Sequence, residues 1–423
     1  MAVATFLQLS DLHLGRPFSW LPPELRAERR ADQRRALERA VREAIERGVT
    51  AILIPGDLFD AEGADADTMA FALSAFDVTG CPPVYLAPGN HDPWSEQSPL
   101  WAPKVLAARG WAWPAHVHVF NAGRWNVKPV PKLEGVNVWG RASTSTAAST
   151  ERPLAEGSII LPASADAQGL DVCVFHGSLE GQCPPGQKMV GPFSDTEILN
   201  SPFAYHAVGH YHTRVKIEHK AASTTSTSSR GNSGVASAGV RLAYAGSAVA
   251  LDLTEAGNHG ALEVRIEYGA RQPFIEIEPV ELDRRRMLEV KAEIGSATSA
   301  EQADRKIARA LDESNATDKD IVLVRVSGRL AKGVRYGAPG AELRARAFHV
   351  KLDLRGVRPD YDLEGYRRNE PATTEERFAK SLLDRMAATT DAAEKAMLER
   401  ALYYGLDAFR LREVVPAYEE LSS

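Results

Sequence analysis

The chain has 423 residues, of which 44% are apolar and 25% charged, ordinary values for a globular protein of two or three domains. Its formal net charge is −6, so overall basicity does not attract nucleic acid, and any polyanion site must be a local patch or a bound metal. The three cysteines are scattered, so no disulfide framework follows and a reducing compartment fits. The start does not resemble a signal peptide, and no apolar run approaches the ~20 residues of a membrane span. We therefore expect a cytoplasmic protein with no membrane partner.

Residues 1–268 alternate short apolar runs with amphipathic stretches, which predicts stacked α/β layers. A long helix is predicted over 24–47, because an apolar face is followed by Gly48 as a stop signal. Shorter helices are predicted over 68–76 and 101–109. Further strands are predicted over 117–120, 136–140, 158–161, 241–252 and 262–268.

The segment 221–239 interrupts this first domain. It is rich in Ser, Thr and Gly and has almost nothing to bury. Such composition is typical of a disordered surface loop, and we expect one here.

A second unit is predicted over 271–357, with strands over 274–282 and 287–294, a helix over 299–314, and strands over 321–327 and 346–355. This ββαββ order is typical of a small α+β domain. Residues 358–372 are predicted to be a linker, and helices follow over 373–423. Two apolar stripes on these helices are compatible with packing inside the chain and with docking to a partner.

Five apolar runs each end in side chains that bind metals. Buried parallel strands are near-continuous apolar runs, and ligands gather beyond the carboxyl ends of such strands. The donors that follow the five runs are Asp11, His13, Asp57, Asn90, His91, Asp92, His176, His210 and His212. These are more donors than one ion needs, so the sequence predicts a two-metal hydrolase.

Each donor type suits part of that chemistry. A carboxylate beside an imidazole, as in Asp11 and His13, suits Mn, Fe or Zn better than Mg or Ca. Asp57 follows Gly56, where the chain can turn tightly, and its two oxygens allow it to bridge two ions. Two cations ~3.5–4 Å apart acidify a bridging water, orient a phosphorus atom and neutralise the charge of its transition state.

Three further residues are candidates for catalysis or substrate binding. His91 follows Asn90 and can donate a proton or stabilise a transition state. Asp60 can accept a hydrogen bond from the His91 ring and orient it. Arg16 follows the first motif closely and is a candidate for contact with a substrate phosphate. Asp92 is equally well explained as a donor and as a turn residue.

At these residues the sequence resembles the calcineurin-like metallophosphoesterase superfamily. The blocks that carry the resemblance are Asp11-Leu12-His13, Gly56-Asp57-Leu58-Phe59-Asp60, Gly89-Asn90-His91-Asp92, His176-Gly177 and Gly209-His210-Tyr211-His212, in the family's order. The resemblance implies a β-sandwich flanked by helices, with two divalent metal ions. One metal would take Asp11, His13, Asp57 and His212. The other would take Asp57, Asn90, His176 and His210, while His91 would assist the leaving group.

Segments 9–15, 54–60 and 244–247 look most like the DNA-repair exonuclease branch, nuclease subunits that work with an SMC-like ATPase. A small capping domain followed by C-terminal helices also looks like that group. The expected metals are two Mn²⁺ ions, with Fe, Zn or Mg as alternatives, and the apolar stripes of the C-terminal helices are expected to dock the partner. DNA and the ATPase are thus expected partners, and a homodimer is possible. The alternatives are a phosphoesterase for small or cyclic nucleotides, favoured by the negative net charge, and a non-catalytic assembly subunit.

Overall fold

The computed structural model of the chain describes residues 1–60, 64–146, 151–159, 169–183, 188–219, 239–269, 273–331, 334–359 and 361–412. The chain divides into two compact units, Met1–Arg286 and Met287–Ser423. The Ser/Thr-rich segment predicted as a disordered loop lies, apart from Gly239, outside the described residues. The same holds for the end of the predicted C-terminal segment, residues 413–423.

The first unit contains two six-stranded sheets. The strands of the first sheet are β1 (Ala2–Gln8), β2 (Ala51–Ile54), β3 (Val84–Leu86), β4 (Val117–Val119), β11 (Gly260–Tyr268) and β12 (Phe274–Glu281). They lie in the order β12-β11-β1-β2-β3-β4. Strands β1 to β4 are parallel, and β11 runs antiparallel to β1 with Ala4 opposite Ile266. The two central parallel strands, β2 and β3, are apolar and fully buried because they are covered on both faces.

The strands of the second sheet are β5 (Asn126–Pro129), β6 (Val136–Gly140), β7 (Leu170–His176), β8 (Tyr205–Gly209), β9 (Val215–His219) and β10 (Gly239–Tyr244), in the order β5-β6-β7-β8-β10-β9. Successive side chains of β6 and β7 point to opposite faces of the second sheet and pack in two separate cores. Val138 and Val174 pack in one cluster with Phe6 of the first sheet, while Trp139 and Phe175 pack in an aromatic cluster. The two sheets therefore form a sandwich, and the mixed α/β fold class is confirmed.

The helices of the first unit are α1 (Pro23–Glu46), α2 (Ala66–Phe76), α3 (Pro103–Ala107) and α4 (Asp195–Asn200). Helix α1 begins with proline at its first position, where the missing N–H costs nothing, and buries Leu37 and Val41. The prediction of a helix over 24–47 is confirmed to within one residue at each end. Helix α4 was not predicted; it begins at a capping box formed by Ser194 and Glu197.

The second unit contains a three-stranded parallel sheet, β13 (Met287–Glu293), β14 (Ile321–Leu330) and β15 (His349–Pro359). Its helices are α5 (Ala300–Glu313), α6 (Ala341–Arg344), α7 (Leu363–Arg368), α8 (Thr374–Ala388) and α9 (Ala392–Leu411). The predicted ββαββ order is wrong here. The strand predicted over 274–282 is β12, which pairs with β11 in the first unit, and the remaining elements run β-α-β-α-β. Parallel neighbours require such crossover connections.

The apolar stripes of the C-terminal helices pack largely against each other. Leu383 and Met386 of α8 and Leu398, Leu402 and Leu406 of α9 form one buried cluster. The two helices therefore form a hairpin with its own core, and these side chains are not available as a docking surface.

This hairpin core gives a stability prediction. Leu402 is fully buried, so Leu402→Ala should lower the free energy of unfolding by about 2–5 kcal/mol. Met397, on the same helix, is 54% exposed, so Met397→Ala is the matched control and should change stability little. Urea unfolding followed by circular dichroism measures both. Equal stability of the two variants would show that the hairpin is not packed as described.

No helix within the described ranges combines the length and the apolar character that a membrane crossing requires.

Candidate metal centre

The five predicted donor motifs follow strands whose carboxyl ends meet at one edge of the sandwich. In the first sheet, β1 leads to Asp11 and His13, β2 to Asp57, and β3 to Asn90. In the second sheet, β7 ends at His176. Adjacent β8 leads to His210 and His212. Parallel pairing places all these ends together, as the sequence predicts.

The backbone is strained where it presents these side chains. Asp11, His13 and Asp57 each have a φ of 49°, and His210 has a φ of 115°, conformations that L residues rarely adopt. Strain of this kind costs on the order of 1–3 kcal/mol per residue and clusters at functional sites.

Two glycines permit the close approach of neighbouring loops. A Cβ at Gly56, whose φ is 106°, would lie 2.3 Å from Nδ1 of His176. A Cβ at Gly89 would lie 2.2 Å from Oδ1 of Asp57. These positions need glycine because side chains of the cluster occupy the space.

Asp57 lies between the two predicted sets of donors. Its Oδ2 is 3.6 Å from Nε2 of His13 and 3.3 Å from Nε2 of His176. Its Oδ1 accepts a hydrogen bond from the backbone N–H of His91. One carboxylate oxygen thus faces an imidazole from each set, an arrangement that suits a bridge between two cations.

Two groups of donors around this carboxylate have the spacing that a metal ion needs. One consists of Asp11, His13 and His212, and the other of Asp11, Asp57 and His176; within each, the donor atoms lie within 4.8 Å of one another. Asn90 adds its Oδ1, which lies 2.9 Å from Nε2 of His176.

His13 fits a metal better than it fits a metal-free core. Its side chain is fully buried, and within the described part of the chain neither of its ring nitrogens has a hydrogen-bond partner. An unsatisfied buried polar group costs roughly 1–3 kcal/mol. A metal on Nε2, which faces Asp57, would remove that cost at this nitrogen, while Nδ1 lies 3.5 Å from Oδ2 of Asp60.

His176 supports the same conclusion. Its Nδ1 donates to the carbonyl of Pro55 at 3.0 Å, and its Nε2 faces two oxygens, from Asn90 and Asp57. If the ring is neutral, the lone pair of Nε2 faces these two oxygens, and a metal ion held by all three atoms would take the place of a second ring proton. A backbone carbonyl that fixes the tautomer is the usual support for a histidine ligand. The donors present therefore fit two divalent ions.

The electrostatics of the cluster favour anionic carboxylate ligands. Burial opposes charge on Asp57, yet His176, and then His13 and His91, hold the pKa of this carboxyl well below its usual range. Burial also opposes protonation of His176, but the carboxylate of Asp57 outweighs it and raises the pKa of His176 to about 9. Because ligand histidines must be neutral, metal binding is expected to release a proton here.

His210 is held beside this pair. Its Nε2 donates to the carbonyl of Lys188 at 2.9 Å, which leaves Nδ1 with the lone pair, and its ring centroid lies 5.2 Å from that of His176. Burial, and then the charge on His176, lowers the pKa of His210 to about 4, so this ring is neutral near pH 7. Its backbone N–H donates to Asp11. His210 thus lies beside His176 and Asp11, but it does not belong to either three-residue group.

The residues predicted for catalysis lie at the rim of the cluster. Asp60, His13 and His91 form a third group whose donor atoms lie within 4.8 Å of one another. The rings of His13 and His91 are edge to face, with centroids 4.6 Å apart. Arg16 lies 3.3 Å from Oδ2 of Asp60, so its guanidinium pairs with this carboxylate at the site.

Asp92 connects two loops of the site through hydrogen bonds. Its two carboxylate oxygens accept hydrogen bonds from the backbone N–H groups of Phe59 and Gly89. It therefore ties the loop of Asp57 to the loop of Asn90. Burial, and then the charge on Asp57, raises the pKa of Asp92 to about 7. Of the two explanations of Asp92, the turn residue agrees with these contacts.

Sequence reasoning missed two supporting residues. Gln33, buried on α1, donates to the carbonyls of Leu12 and His13 at 2.7 and 2.8 Å and so holds the first motif. Glu255 accepts from Nδ1 of His212 at 2.7 Å, which leaves Nε2 of that ring with the lone pair. Glu255 follows His212 by 43 positions, and no local pattern in the sequence connects them.

Glu255 should therefore tune metal affinity. Glu255→Gln keeps the volume but removes the charge that fixes the His212 ring, and we expect Mn²⁺ to bind about 10–100-fold more weakly. Isothermal titration calorimetry measures this. Glu263→Gln is the control, since Glu263 pairs with Arg47 on the surface. Unchanged Mn²⁺ affinity in Glu255→Gln would contradict the supporting role.

Comparison with known proteins gives a consistent result. Residues 4–214 match the family model of calcineurin-like phosphoesterases. The uncharacterized metallophosphoesterase YhaO of Bacillus subtilis (strain 168) is 28% identical over 226 residues. That match spans 51% of this chain and 51% of YhaO, so the chain matches about half the length of this relative.

Two solved structures are also similar. TT1561 of Thermus thermophilus is 14% identical, with 66% of this chain and 99% of that chain covered and a TM-score of 0.33. A dimetal phosphatase from Danio rerio is 10% identical, with 64% and 98% covered and a TM-score of 0.36. The assignment rests on the family match and not on these two structures. That match includes every predicted donor, and through it residues 4–214 of the chain belong to the calcineurin-like phosphoesterase family.

Proposed function

We propose that the chain is a two-metal phosphodiesterase that hydrolyses DNA as a repair nuclease in the cytoplasm, with Mn²⁺ as its metal. The observation that carries the phosphodiesterase assignment is the position of Asp57 Oδ2, within 3.6 Å of His13 and 3.3 Å of His176. The choice of DNA rests on the resemblance of segments 9–15, 54–60 and 244–247 to DNA-repair exonucleases.

The third of these segments supports the metal-ligand cluster. The backbone N–H of Ser247 donates to the carbonyl of His212 at 2.9 Å, and its hydroxyl lies 3.3 Å from Glu255. A Cβ at Gly246 would lie 2.7 Å from the same carbonyl of His212. The motif that marks the nuclease branch is therefore in contact with a predicted metal ligand.

Different residues of the chain would bind the metals and assist the leaving group. When bound, two divalent ions would supply an activated water and neutralise charge on the phosphate. Asp11, Asp57, Asn90 and the histidines would hold them. His91 would give a hydrogen bond or a proton to the leaving oxygen, and Asp60, which has a carboxylate oxygen within 4.8 Å of a ring nitrogen of His91, would orient that ring.

An activity panel tests the function. Purified protein with Mn²⁺ is given end-labelled single- and double-stranded DNA, bis(p-nitrophenyl) phosphate, cyclic nucleotides and nucleotide monophosphates. We expect shortening of the labelled DNA, and no activity from an Asp57→Asn preparation made in the same way. Rapid turnover of cyclic nucleotides beside intact DNA would overturn the DNA assignment in favour of small nucleotides.

An SMC-like ATPase is the proposed partner, and α9 is the proposed docking surface. The hairpin buries most of the predicted apolar stripes, but Met397 and Phe409 of α9 remain 54% and 44% exposed. Replacing both by Glu should abolish co-elution with the ATPase and leave the hairpin folded. Light scattering on the chain alone tests the proposed homodimer.

A further inference from the structure

A cleft opens beside the metal-ligand cluster, on the side of the second sheet. Its lining includes Arg141, Ser143, Thr144, Glu151, Val190 and the predicted ligand His176. One wall is cationic and hydroxylated, and part of the other is apolar. The roles predicted for the metal ligands and catalytic residues give no function to the cationic wall.

The cationic wall is fixed to the loop that carries Asn90 and His91. Ser143 donates its backbone N–H to Pro88 and accepts from the N–H of Trp94, both at 2.8 Å. Pro88 and Trp94 flank the Gly89–Asp92 motif on its two sides. The N–H of Arg141 also bonds to Val174, two residues before His176. The segment 141–145 therefore keeps a set position beside the metal-ligand cluster.

Arg141 and Glu151 differ in their exposure to solvent. The side chain of Arg141 is only 12% exposed, whereas that of Glu151 is 66% exposed, and the two pair at 2.5 Å. Because the carboxylate of Glu151 is largely exposed, water can solvate it when it leaves the guanidinium. An oxyanion from a substrate can therefore replace the carboxylate of Glu151 on the guanidinium at small cost.

We infer that this cleft is a subsite for the phosphate next to the scissile one on a polynucleotide, with Arg141 as its cation and Glu151 as the group displaced. An arginine fork matches the geometry of phosphate oxygens, and the hydroxyls of Ser143 and Thr144 supply further donors. This inference rests on the proposed function, because only a polynucleotide carries a neighbouring phosphate.

The test compares two substrates. Bis(p-nitrophenyl) phosphate has one phosphate and no neighbour, whereas an oligothymidylate has neighbours on both sides. Arg141→Gln should raise KM for the oligothymidylate about tenfold, with kcat unchanged, since one charged hydrogen-bond partner is lost. It should also reduce the slope of log KM against log salt by about 0.7, the value for one phosphate contact on a single strand. Turnover of bis(p-nitrophenyl) phosphate and Mn²⁺ stoichiometry should not change.

Three further variants sharpen the comparison. Arg141→Lys keeps the charge and should retain the salt slope while losing part of the affinity. Glu151→Gln removes the competing carboxylate and should not raise KM. Arg47→Gln is the matched control. Arg47 lies between α1 and the start of β2, and the metal-ligand cluster lies beyond the opposite, carboxyl end of that strand.

The outcomes separate the inference from the proposed function. An unchanged KM for the oligothymidylate in Arg141→Gln overturns the subsite, as does an equal loss on both substrates. If the wild-type protein hydrolyses bis(p-nitrophenyl) phosphate but not the oligothymidylate, the DNA assignment falls. Anisotropy of a fluorescein-labelled oligothymidylate then decides the subsite: weaker binding by Arg141→Gln supports it, and equal or absent binding overturns it.

Discussion

Replacing Asp57 by Ala should abolish phosphodiesterase activity and reduce the number of bound metal ions below two. The carboxylate oxygen that faces both His13 and His176 is lost, and with it the predicted bridging ligand of the two ions. Charge stabilisation by a bound metal contributes several kcal/mol to a transition state, so the loss in kcat should be about 10³-fold or more. Elemental analysis of the dialysed protein and turnover of bis(p-nitrophenyl) phosphate measure the two effects.

Two controls separate chemistry from folding. Asp57→Asn keeps the volume and an oxygen that can accept from the N–H of His91, so it should fold and still lose activity. Asp65→Ala removes a carboxylate that caps α2 and should leave metal content unchanged. Two tightly held ions in Asp57→Ala would contradict the bridging role of this residue.

Replacing His91 by Asn should lower kcat by about 10²–10⁴-fold and leave metal content and KM nearly unchanged. Burial lowers the pKa of His91, so the ring is largely neutral near pH 7. The neutral ring can donate a hydrogen bond to the leaving oxygen, and its protonated form can transfer a proton to that oxygen and return to the neutral ring. The ring is packed edge to face on His13 and lies near Asp60, so its position is set by neighbours.

The leaving group provides a sharper version of this test. A p-nitrophenolate leaves without a proton, whereas the alkoxide released from DNA needs one. The defect of His91→Asn should therefore be much smaller on bis(p-nitrophenyl) phosphate than on DNA. His118→Asn is the control, because His118 lies on β4 beside Tyr85. Near wild-type cleavage of DNA by His91→Asn, or equal defects on the two substrates, would refute the acid role.

The sequence alone predicted the donors of the metal-ligand cluster and their meeting at one edge. Each donor follows an apolar run by one or a few residues, and parallel strands bring such positions together. Each apolar run and its donors are neighbours in the sequence, and the geometry of the sheet then brings the donors together. The limits of α1 were predictable for the same reason, since apolar spacing and a stop glycine lie within one segment.

The tertiary structure alone decided which distant residues support that cluster and where the remaining apolar faces are buried. Glu255 and Gln33 reach His212 and the first motif through contacts that no local periodicity encodes. Strand β12 joins the first sheet because β11 offers an open edge. By sequence, the apolar stripes of α8 and α9 are equally compatible with docking to a partner and with packing in a hairpin. In the structure they pack against each other in a hairpin. An apolar pattern specifies that a face is buried, but only packing in three dimensions specifies what covers it.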